Sequence, residues 1–306
     1  EHNDAICPQL DAIDGVDPQN PYILAAAQAG VTCVATGPGS ANVLGGTFLA
    51  MKTQGLRIDD MVVRHRIGMK CAFGENPKFS YRDKSVSTRM TTAAKLREYL
   101  AKAREYLAKK KAAGKNINKR PAYDIKLEAL IPVLKKEIPL KAHAHRADDI
   151  FTAIRIAKEF DLLLTLEHCT DGHLIAAELA REGYPLAVGP SWMGISKPEL
   201  RNKTFATPGI LAKAGCQVSI ITDSGVVPQE HLATMAALAI KAGMDPFAAL
   251  QSITINPARH IGVAERVGSI EVGKDADLII CEGSIFEIGN KIVTVLIDGK
   301  PVPMPE

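Results

Sequence analysis

The sequence predicts an α/β protein built as a TIM-like (β/α)8 barrel, and three observations indicate this fold. Short apolar runs recur along the chain at residues 68–73, 138–143, 162–168 and 218–223. Segments typical of helices separate the later runs, and uninterrupted apolar runs of this length are typical of buried parallel strands. A polar side chain that can bind a metal stands at or near the end of each run. Functional residues of such barrels come from the carboxyl ends of the strands.

The first predicted strand, residues 31–36, leads into a glycine-rich segment at residues 37–46. A glycine-rich turn after a strand can bind phosphate, but this one lacks both a Gly-Lys-Ser/Thr ending and the Gly-x-Gly-x-x-Gly register. We interpret the segment as a loop at the top of the barrel, with its backbone close to the substrate. A phosphate-handling barrel without metal dependence is the alternative that we rank last, because it leaves the ordered metal-ligand residues unexplained.

The densest run of charge, residues 95–111, is predicted to be a solvated helix. Its apolar residues recur at helical spacing, and Glu98 and Lys102 form an i,i+4 pair in the stabilising orientation. A basic surface for nucleic acid or membrane is the alternative. The net charge of +3 over 306 residues does not favour it, and no apolar run approaches the roughly 18 residues that span a bilayer. Residues 114–121 predict an exposed loop after this helix, joining it to a second inserted helix.

Four residues at the strand ends form a candidate metal site, namely Lys70, His143, His168 and Asp223. Neutral imidazoles and carboxylates are ligands for zinc and similar ions, and a catalytic site keeps a position open for water. A lysine inside an apolar strand must lose or pair its charge, and a carboxylated Lys70 bridging two metal ions would solve this problem. Ordinary roles stay open, since a histidine after a strand is often a loop residue and Asp223 could be an N-cap or an Asx-turn residue.

Two further residues, His145 and Arg89, are candidates for binding the substrate. His145 lies two residues past His143, hence on the same side of an extended segment, where it can polarise a scissile carbonyl. Arg89 can hold a substrate carboxylate through two hydrogen bonds. An exposed arginine that opens the long helix explains Arg89 equally well.

The composition, with 46% hydrophobic and 23% charged residues, is ordinary for one large domain of a soluble enzyme. The six cysteines contain no Cys-x-x-Cys pair, which predicts reduced thiols in the core. Cys169 follows His168 directly, but neighbours on a strand point to opposite faces, so we expect Cys169 behind the barrel. We expect a cytoplasmic enzyme that acts on a small molecule, without nucleic acid or membrane partners, and leave homo-oligomer formation open.

The motifs at residues 141–150, 166–168 and 221–223, with the C-terminal stretches 254–262 and 268–278, span most of the chain. They resemble the metal-dependent amidohydrolase superfamily, and in particular its imidazolonepropionase-like and prolidase-like members. The resemblance implies that His143, His168 and Asp223 are metal ligands from the fifth, sixth and eighth barrel strands. It also implies that Lys70 corresponds to the fourth-strand lysine that is carboxylated in binuclear members.

The superfamily pattern also has a His-x-His pair at the end of the first barrel strand, and nothing before His143 supplies it. The His-x-His of this chain, His143 and His145, lies at the fifth-strand position, so we assign His143 to the metal and His145 to the pocket wall. By this comparison residues 31–36 match the second strand, and the first strand is expected to be missing. A site that lacks two ligands is expected to bind metal weakly or not at all.

We expect a barrel at residues 1–264 and the C-terminal part of a small β-sandwich at residues 265–306. The implied function is hydrolysis of a carbon–nitrogen bond in an amide, a cyclic amide or a dipeptide. One or two ions, zinc with manganese or iron as alternatives, would lower the pKa of a bound water towards about 7. Asp223 would take the proton of this water and return it to the leaving nitrogen, while His145 polarises the carbonyl. The alternative is a catalytically silent barrel that acts as a binding protein or an inactive fragment.

Overall fold

Two β-sheets organise residues 1–304, which are the residues that the computed structural model describes. Within these residues the large sheet has seven strands, which lie side by side in chain order. They are β1 (Cys33–Thr36), β2 (Leu44–Lys52), β3 (Val62–Ala72), β4 (Leu140–Ala144), β5 (Leu164–His168), β6 (Leu186–Val188) and β7 (Val218–Ile220). The small antiparallel sheet has the order β10-β9-β8, with β8 (Leu278–Cys281), β9 (Ile292–Ile297) and β10 (Lys300–Pro301).

Helices cover the large sheet and fill most connections between its strands. They are α1 (Pro21–Gln28), α2 (Ile58–Met61), α3 (Glu75–Tyr81), α4 (Arg89–Ala113), α5 (Ile125–Leu134), α6 (Ala147–Phe160), α7 (Ala176–Glu182), α8 (Thr207–Lys213), α9 (Leu232–Lys241), α10 (Pro246–Ile253) and α11 (Ile255–His260). The predicted charged helix is confirmed as part of α4, which begins with a capping box between Thr88 and Thr91. Among residues 1–304 no helix combines the length and the apolar character needed to cross a membrane.

The parallel strand–helix alternation typical of the predicted barrel begins at β3. The five strands from β3 to β7 pair in parallel, and α6, α7 and α8 form the crossovers between β4 and β7. Before β3 the pairing is antiparallel, β1 with β2 and β2 with β3. A parallel pair needs a crossover of about a dozen residues or more, whereas an antiparallel pair needs only a short link. The short segment at residues 37–43 therefore dictates the antiparallel pairing of β1 with β2.

The glycine-rich segment predicted to be a loop ends inside a strand. Residues 44–46 already belong to β2, where Leu44 pairs with Cys71 and Gly46 with Lys70 of β3. Gly46 has a φ of +107°, and a Cβ atom there would lie 2.4 Å from the carbonyl oxygen of Leu10. The N-terminal segment that contains Leu10 runs along this part of β2, with bridges from Ile6 and Asp11. Glycine is thus required for the close approach of two backbones, and not for phosphate binding.

The pleat of the parallel strands separates the core from the candidate site. Along β4, Leu140, Ala142 and Ala144 are buried in the main core cluster with residues of α4, α5, α6 and α7. Lys141 and His143 alternate with them and are buried on the opposite face of the strand. The apolar residues therefore hold the helices, while the alternate positions carry polar groups.

The small C-terminal sheet packs on α1, where Ala27, Val295, Ile297 and Val302 form an apolar cluster. Its strands β8, β9 and β10 all lie within residues 265–306, which were expected to be part of a small β-sandwich. The division into residues 1–264 and 265–306 stays a prediction, and residues 305 and 306 of the second part lie outside the described residues.

Candidate metal centre and active site

Three histidines meet at the carboxyl ends of β4 and β5. His143 lies in β4, His145 follows that strand directly, and His168 is the last residue of β5. All three are buried, and one ring nitrogen from each lies within 4.8 Å of those from the other two. Their ring centroids are 4.3 to 4.7 Å apart. Three imidazole nitrogens converging on one point can hold a divalent metal ion.

The backbone at the end of β5 turns His168 towards the other two rings. His168 and the following Cys169 both have positive φ values, +75° and +45°. Strand alternation alone would put His168 on the face of Leu166, in the core. Left-handed conformations of non-glycine residues are strained and concentrate at functional sites. The local geometry therefore supports a functional role for this strand end.

Hydrogen bonds fix the orientation of two of the rings. Nδ1 of His168 donates to the carbonyl oxygen of Gly189 at 2.8 Å, and Nδ1 of His145 lies 2.8 Å from Oγ1 of Thr170. Such outer hydrogen bonds set the tautomer and direction of metal-ligating histidines. Nδ1 of His143 is buried without a hydrogen-bond partner in the described residues. A buried polar atom of this kind requires a compensating interaction, so the donor set fits a metal ion.

Burial lowers the pKa of all three histidines. The pKa of His143 is lowered further by the neighbouring His168 and His145, and that of His145 by His168 and Lys197. For His168 the carboxylate charge of Asp223 acts in the opposite direction, but the pKa stays lowered. The rings are therefore neutral near pH 7, which is the form that donates a lone pair to a metal.

Lys70 lies in β3, in register with Lys141 of β4, and its side chain is buried. Its ammonium group lies 5.7 Å from the ring centroid of Phe48. Burial lowers the pKa of Lys70, and the charge of Glu167 only partly opposes this shift. Glu167 itself pairs with Lys141 and not with Lys70. Lys70 thus has the environment of a lysine that loses its charge readily.

A second buried polar cluster lies closer than the three histidines to the amino ends of β4 and β5. Nζ of Lys141 is 2.7 Å from Oε1 of Glu167, and Nε2 of His260 lies 2.9 Å from the same oxygen. Thr165 also donates to Oε1 at 2.9 Å. Burial raises the pKa of Glu167, but Lys141 and His260 outweigh it and hold that pKa well below its usual range. No motif in the sequence predicts this cluster, although strand alternation from His143 places Lys141 on the same face.

Asp223 lies in the turn after β7 and is exposed. Its φ is +51°, and its charge acts on both Lys70 and His168. Asp223 does not belong to the group of side chains whose ligand atoms lie within 4.8 Å of one another, which consists of the three histidines. It caps neither of the next two helical segments, whose N-caps are Pro228 and His231. The predicted roles of Asp223 as ligand and proton acceptor stay predictions.

Arg89 was predicted to hold a substrate carboxylate, but its guanidinium group pairs with carboxylates of the protein. Its Nε lies 3.0 and 3.1 Å from the two oxygens of Asp149. Its Nη1 lies 3.2 Å from Glu75, and its Nη2 lies 3.7 Å from Glu199. These contacts indicate a role in holding α3, α4 and α6 together, and substrate binding by Arg89 stays an untested prediction.

The cysteines take no part in the site. All six are free. Cys169 is fully buried, as predicted, and burial raises the pKa of its thiol well above the usual range. A protonated, inaccessible thiol is not a nucleophile.

A cleft of about 500 Å³ adjoins the histidine cluster through Asn76, one of its lining residues, whereas the three histidines are not among the residues that line it. Asn76 connects the two, because its Nδ2 lies 3.4 Å from Nε2 of His143. Nζ of Lys197 donates to Oδ1 of Asn76 at 2.7 Å and lies 2.7 Å from Oε1 of Glu199. The lining residues are Ala41, Glu75, Asn76, Phe79, Ser80, Ser196, Lys197 and Pro198. Lys197 and Glu199 carry no signal in the sequence that marks them for the site, since they lie on the segment after β6.

The strand-end histidines agree with the comparison of the sequence with known families. The profile of the amidohydrolase family matches residues 25–302. The chain belongs to the amidohydrolase family. An amidohydrolase from Thermotoga maritima MSB8 is 40% identical in sequence. Its crystal structure superposes on this chain with a TM-score of 0.97, and the match covers 100% of this chain and 80% of that one. The predicted family and the α/β, TIM-like fold class are therefore confirmed, and the missing first strand stays a prediction.

Two curated relatives place this amidohydrolase among longer proteins. Amidohydrolase tasK of Hapsidospora irregularis is 28% identical over an alignment of 328 positions, which covers 98% of this chain and 33% of that protein. Imidazolonepropionase of Streptococcus pyogenes serotype M3 (strain SSI-1) is 26% identical over 193 residues, which cover 53% of this chain and 46% of that protein. The chain thus matches less than half the length of these relatives.

Proposed function

We propose that this amidohydrolase hydrolyses a carbon–nitrogen bond of a small molecule by means of a metal-activated water. The observation that carries the proposal is the convergence of His143, His145 and His168, three buried neutral imidazoles at strand ends. Family membership supports the same reaction type. An amide, a cyclic amide or a dipeptide is the proposed class of substrate.

The residues that would hold the metal are His143, His145 and His168. This set revises the expectation that His145 lines the pocket wall, because its ring lies as close to the other two as they lie to each other. Zinc is the ion that we propose, since three imidazoles with an open position are a known catalytic zinc arrangement. Manganese or iron, or a second ion held by a carboxylated Lys70 and Asp223, are the alternatives. When bound, the metal would lower the pKa of water and polarise the scissile carbonyl.

The chain's own residues supply orientation and proton transfer. Asp223 is exposed on the turn after β7, where its carboxylate can accept a proton from water and return it to the leaving nitrogen. Gly189 holds the ring of His168 through its carbonyl oxygen. The pair of Lys141 and Glu167 keeps the lysine charge compensated beneath the histidines. A cytoplasmic location and the oligomeric state stay predictions.

The first test is the metal content of the purified protein and of two variants. We expect wild type, stripped with a chelator and reloaded, to bind about one zinc ion per chain. His168→Ala should lose at least about tenfold in zinc affinity, since removing even an outer hydrogen-bond partner of a ligand costs about 10- to 100-fold. His65→Ala, at an exposed histidine that pairs with Asp11, should bind zinc like wild type.

Activity is then measured on a panel of acyl amino acids, dipeptides and cyclic amides. Hydrolysis that requires zinc and fails in His168→Ala would support the proposal. Zinc uptake without hydrolysis of any of these would favour a binding protein, and a chain that takes up no zinc, manganese or iron would favour an inactive fragment. Either failure would favour the catalytically silent alternative.

A further inference from the structure

Lys197 lies on the segment between β6 and α8 and lines the cleft beside the histidines. Its side chain is 23% exposed and lines the cleft, so that the side chain is partly shielded from water and still reachable from the cleft. A charge in such a position interacts more strongly with a ligand than a fully solvated one. Lys197 therefore combines access with a shielded environment.

One side chain lies between the ammonium group of Lys197 and each of two proposed metal ligands, His143 and His145. Asn76 accepts from it at 2.7 Å and lies 3.4 Å from Nε2 of His143. Glu199 lies 2.7 Å from it and 3.9 Å from Nε2 of His145. A molecule in the cleft that contacts Lys197 is therefore separated from His143 by the Asn76 side chain and from His145 by the Glu199 side chain.

Lys197 has donor capacity left for a ligand. An ammonium group carries three N–H donors. Oδ1 of Asn76 accepts a hydrogen bond from one of them, and Oε1 of Glu199 lies 2.7 Å from Nζ as its ion-pair partner. Glu199 does not depend on Lys197 alone, because Arg89 lies 3.7 Å from its other oxygen and the backbone N–H of Glu75 donates to that oxygen at 2.8 Å. The third donor is therefore available to an anion in the cleft.

We propose that Lys197 forms an anion subsite of this amidohydrolase and selects amide substrates that carry a carboxylate group. Asn76 is the positioning residue, because it holds Nζ of Lys197 on the side of His143. Phe79, 77% exposed, gives the same cleft an apolar wall, which suits an apolar side chain next to the carboxylate. The inference rests on the proposed function, since it assigns the substrate class of that same site.

The test compares the binding of N-acetyl-L-leucine and N-acetyl-L-leucinamide, which differ only in that the carboxylate of the first is a neutral carboxamide in the second. Calorimetry on zinc-loaded wild type should show the acid binding at least about tenfold more tightly than the amide, because charge-assisted hydrogen bonds are roughly twice as strong as neutral ones. A bound metal ion also attracts carboxylates, so the comparison is repeated on metal-free protein. The preference should persist there.

Variants of Lys197 and one control variant make the assignment specific to Lys197. Lys197→Met should lose the preference for the acid, whereas Lys197→Arg should retain most of it. Lys213→Met, at an exposed lysine that ends α8, is the matched control and should behave like wild type. Lys197→Gln removes the charge but keeps hydrogen-bond donors for Asn76 and Glu199, and it replaces Lys197→Met if that variant does not fold.

The outcomes separate this inference from the proposed function. Equal binding of acid and amide by metal-free wild type, or a preference that survives in Lys197→Gln, would overturn the anion subsite while leaving metal-dependent hydrolysis intact. A protein that binds no metal but prefers the acid through Lys197 would overturn the hydrolase proposal and keep the subsite.

Discussion

Arg89 illustrates how one side chain can hold several elements of this fold together. It stands at the first position of α4 and pairs with Asp149 in α6 and with Glu75 in α3. The side chains of Asp149 and Glu199 are buried. Burial raises the pKa of Asp149, and the charge of Arg89 opposes this shift without cancelling it. The guanidinium group therefore stabilises carboxylates that water cannot reach.

We predict that Arg89→Met lowers the free energy of unfolding by about 3 kcal/mol or more, because removing one partner of a buried ion pair typically costs about 3–5 kcal/mol. Urea denaturation followed by circular dichroism measures the loss. The control is Arg82→Met, whose exposed pair with Asp83 should change stability by no more than about 0.5 kcal/mol. A stable Arg89→Met variant with a raised KM would instead support the substrate-binding role that the sequence suggested.

The residues of the candidate site differ in how far they could be predicted. His143 and Lys70 follow from apolar runs that end in polar side chains, since alternation fixes their face. The position of His168 depends on left-handed backbone at the end of β5, which composition does not reveal. The partners Glu167 and His260 are 93 residues apart in the sequence, and only the folded chain brings them together.

Individual strands were predictable where both faces are buried and less so where the chain turns back. The later runs become β4, β5 and β7, each shorter than its apolar stretch. The strand β2 was not predicted, because its glycines suggested a loop. Its neighbours explain the difference, since Gly46 meets the backbone of Leu10 and a Cβ atom on Gly37 would lie 2.2 Å from the ring of Phe48. Tertiary contacts therefore override the local preference of glycine for turns.

The end of β2 anchors the C-terminal part of the chain through Lys52. This lysine is buried, and its Nζ lies 2.9 Å from Asp275, 2.7 Å from Asp277 and 3.1 Å from Asp298. Burial lowers the pKa of Lys52, but the hydrogen bonds to Asp277 and Asp275 outweigh it and the pKa is raised overall. Asp275 and Asp277 belong to the C-terminal stretch that carried the family resemblance, which gives that stretch a structural role.

We predict that Lys52→Met loosens the C-terminal sheet from the rest of the fold. The aspartates would lose their shared cation, at a cost of about 3–5 kcal/mol for a broken buried pair. Hydrogen exchange should accelerate in β8 and β9 more than in β4 and β5. Lys300→Met, at an exposed lysine of β10, is the control and should leave exchange unchanged. Equal protection of β8 in wild type and Lys52→Met would show that apolar packing on α1 alone holds the sheet.

At the scale of the whole molecule, the buried histidines should make folding depend on pH. Burial lowers the pKa of His143, His145, His168 and His260 in the folded chain. The unfolded chain retains pKa values near about 6.5. Between the folded and unfolded values the unfolded state binds more protons, so stability rises with pH across this window. It is fully present above about pH 6.5 and is lost as the pH falls below that value.

Metal-free protein should therefore lose stability between pH 7.5 and pH 5.5, by up to about 1.4 kcal/mol per pH unit for each histidine that titrates only on unfolding. Glu167 acts in a lower window, because its lowered pKa contributes stability that is present above its unfolded value and lost below about pH 4.5. Urea denaturation at pH 7.5, 5.5 and 4.0 separates the two steps.

Zinc should oppose the first step, the loss of stability between pH 7.5 and pH 5.5, since an ion that binds only the folded chain competes with protons for the same nitrogens. Stability that stays flat down to pH 5.5 without metal would mean that these rings accept protons in the folded state. That result would contradict the arrangement of the three histidines, because three charged imidazoles would repel one another at such short distances.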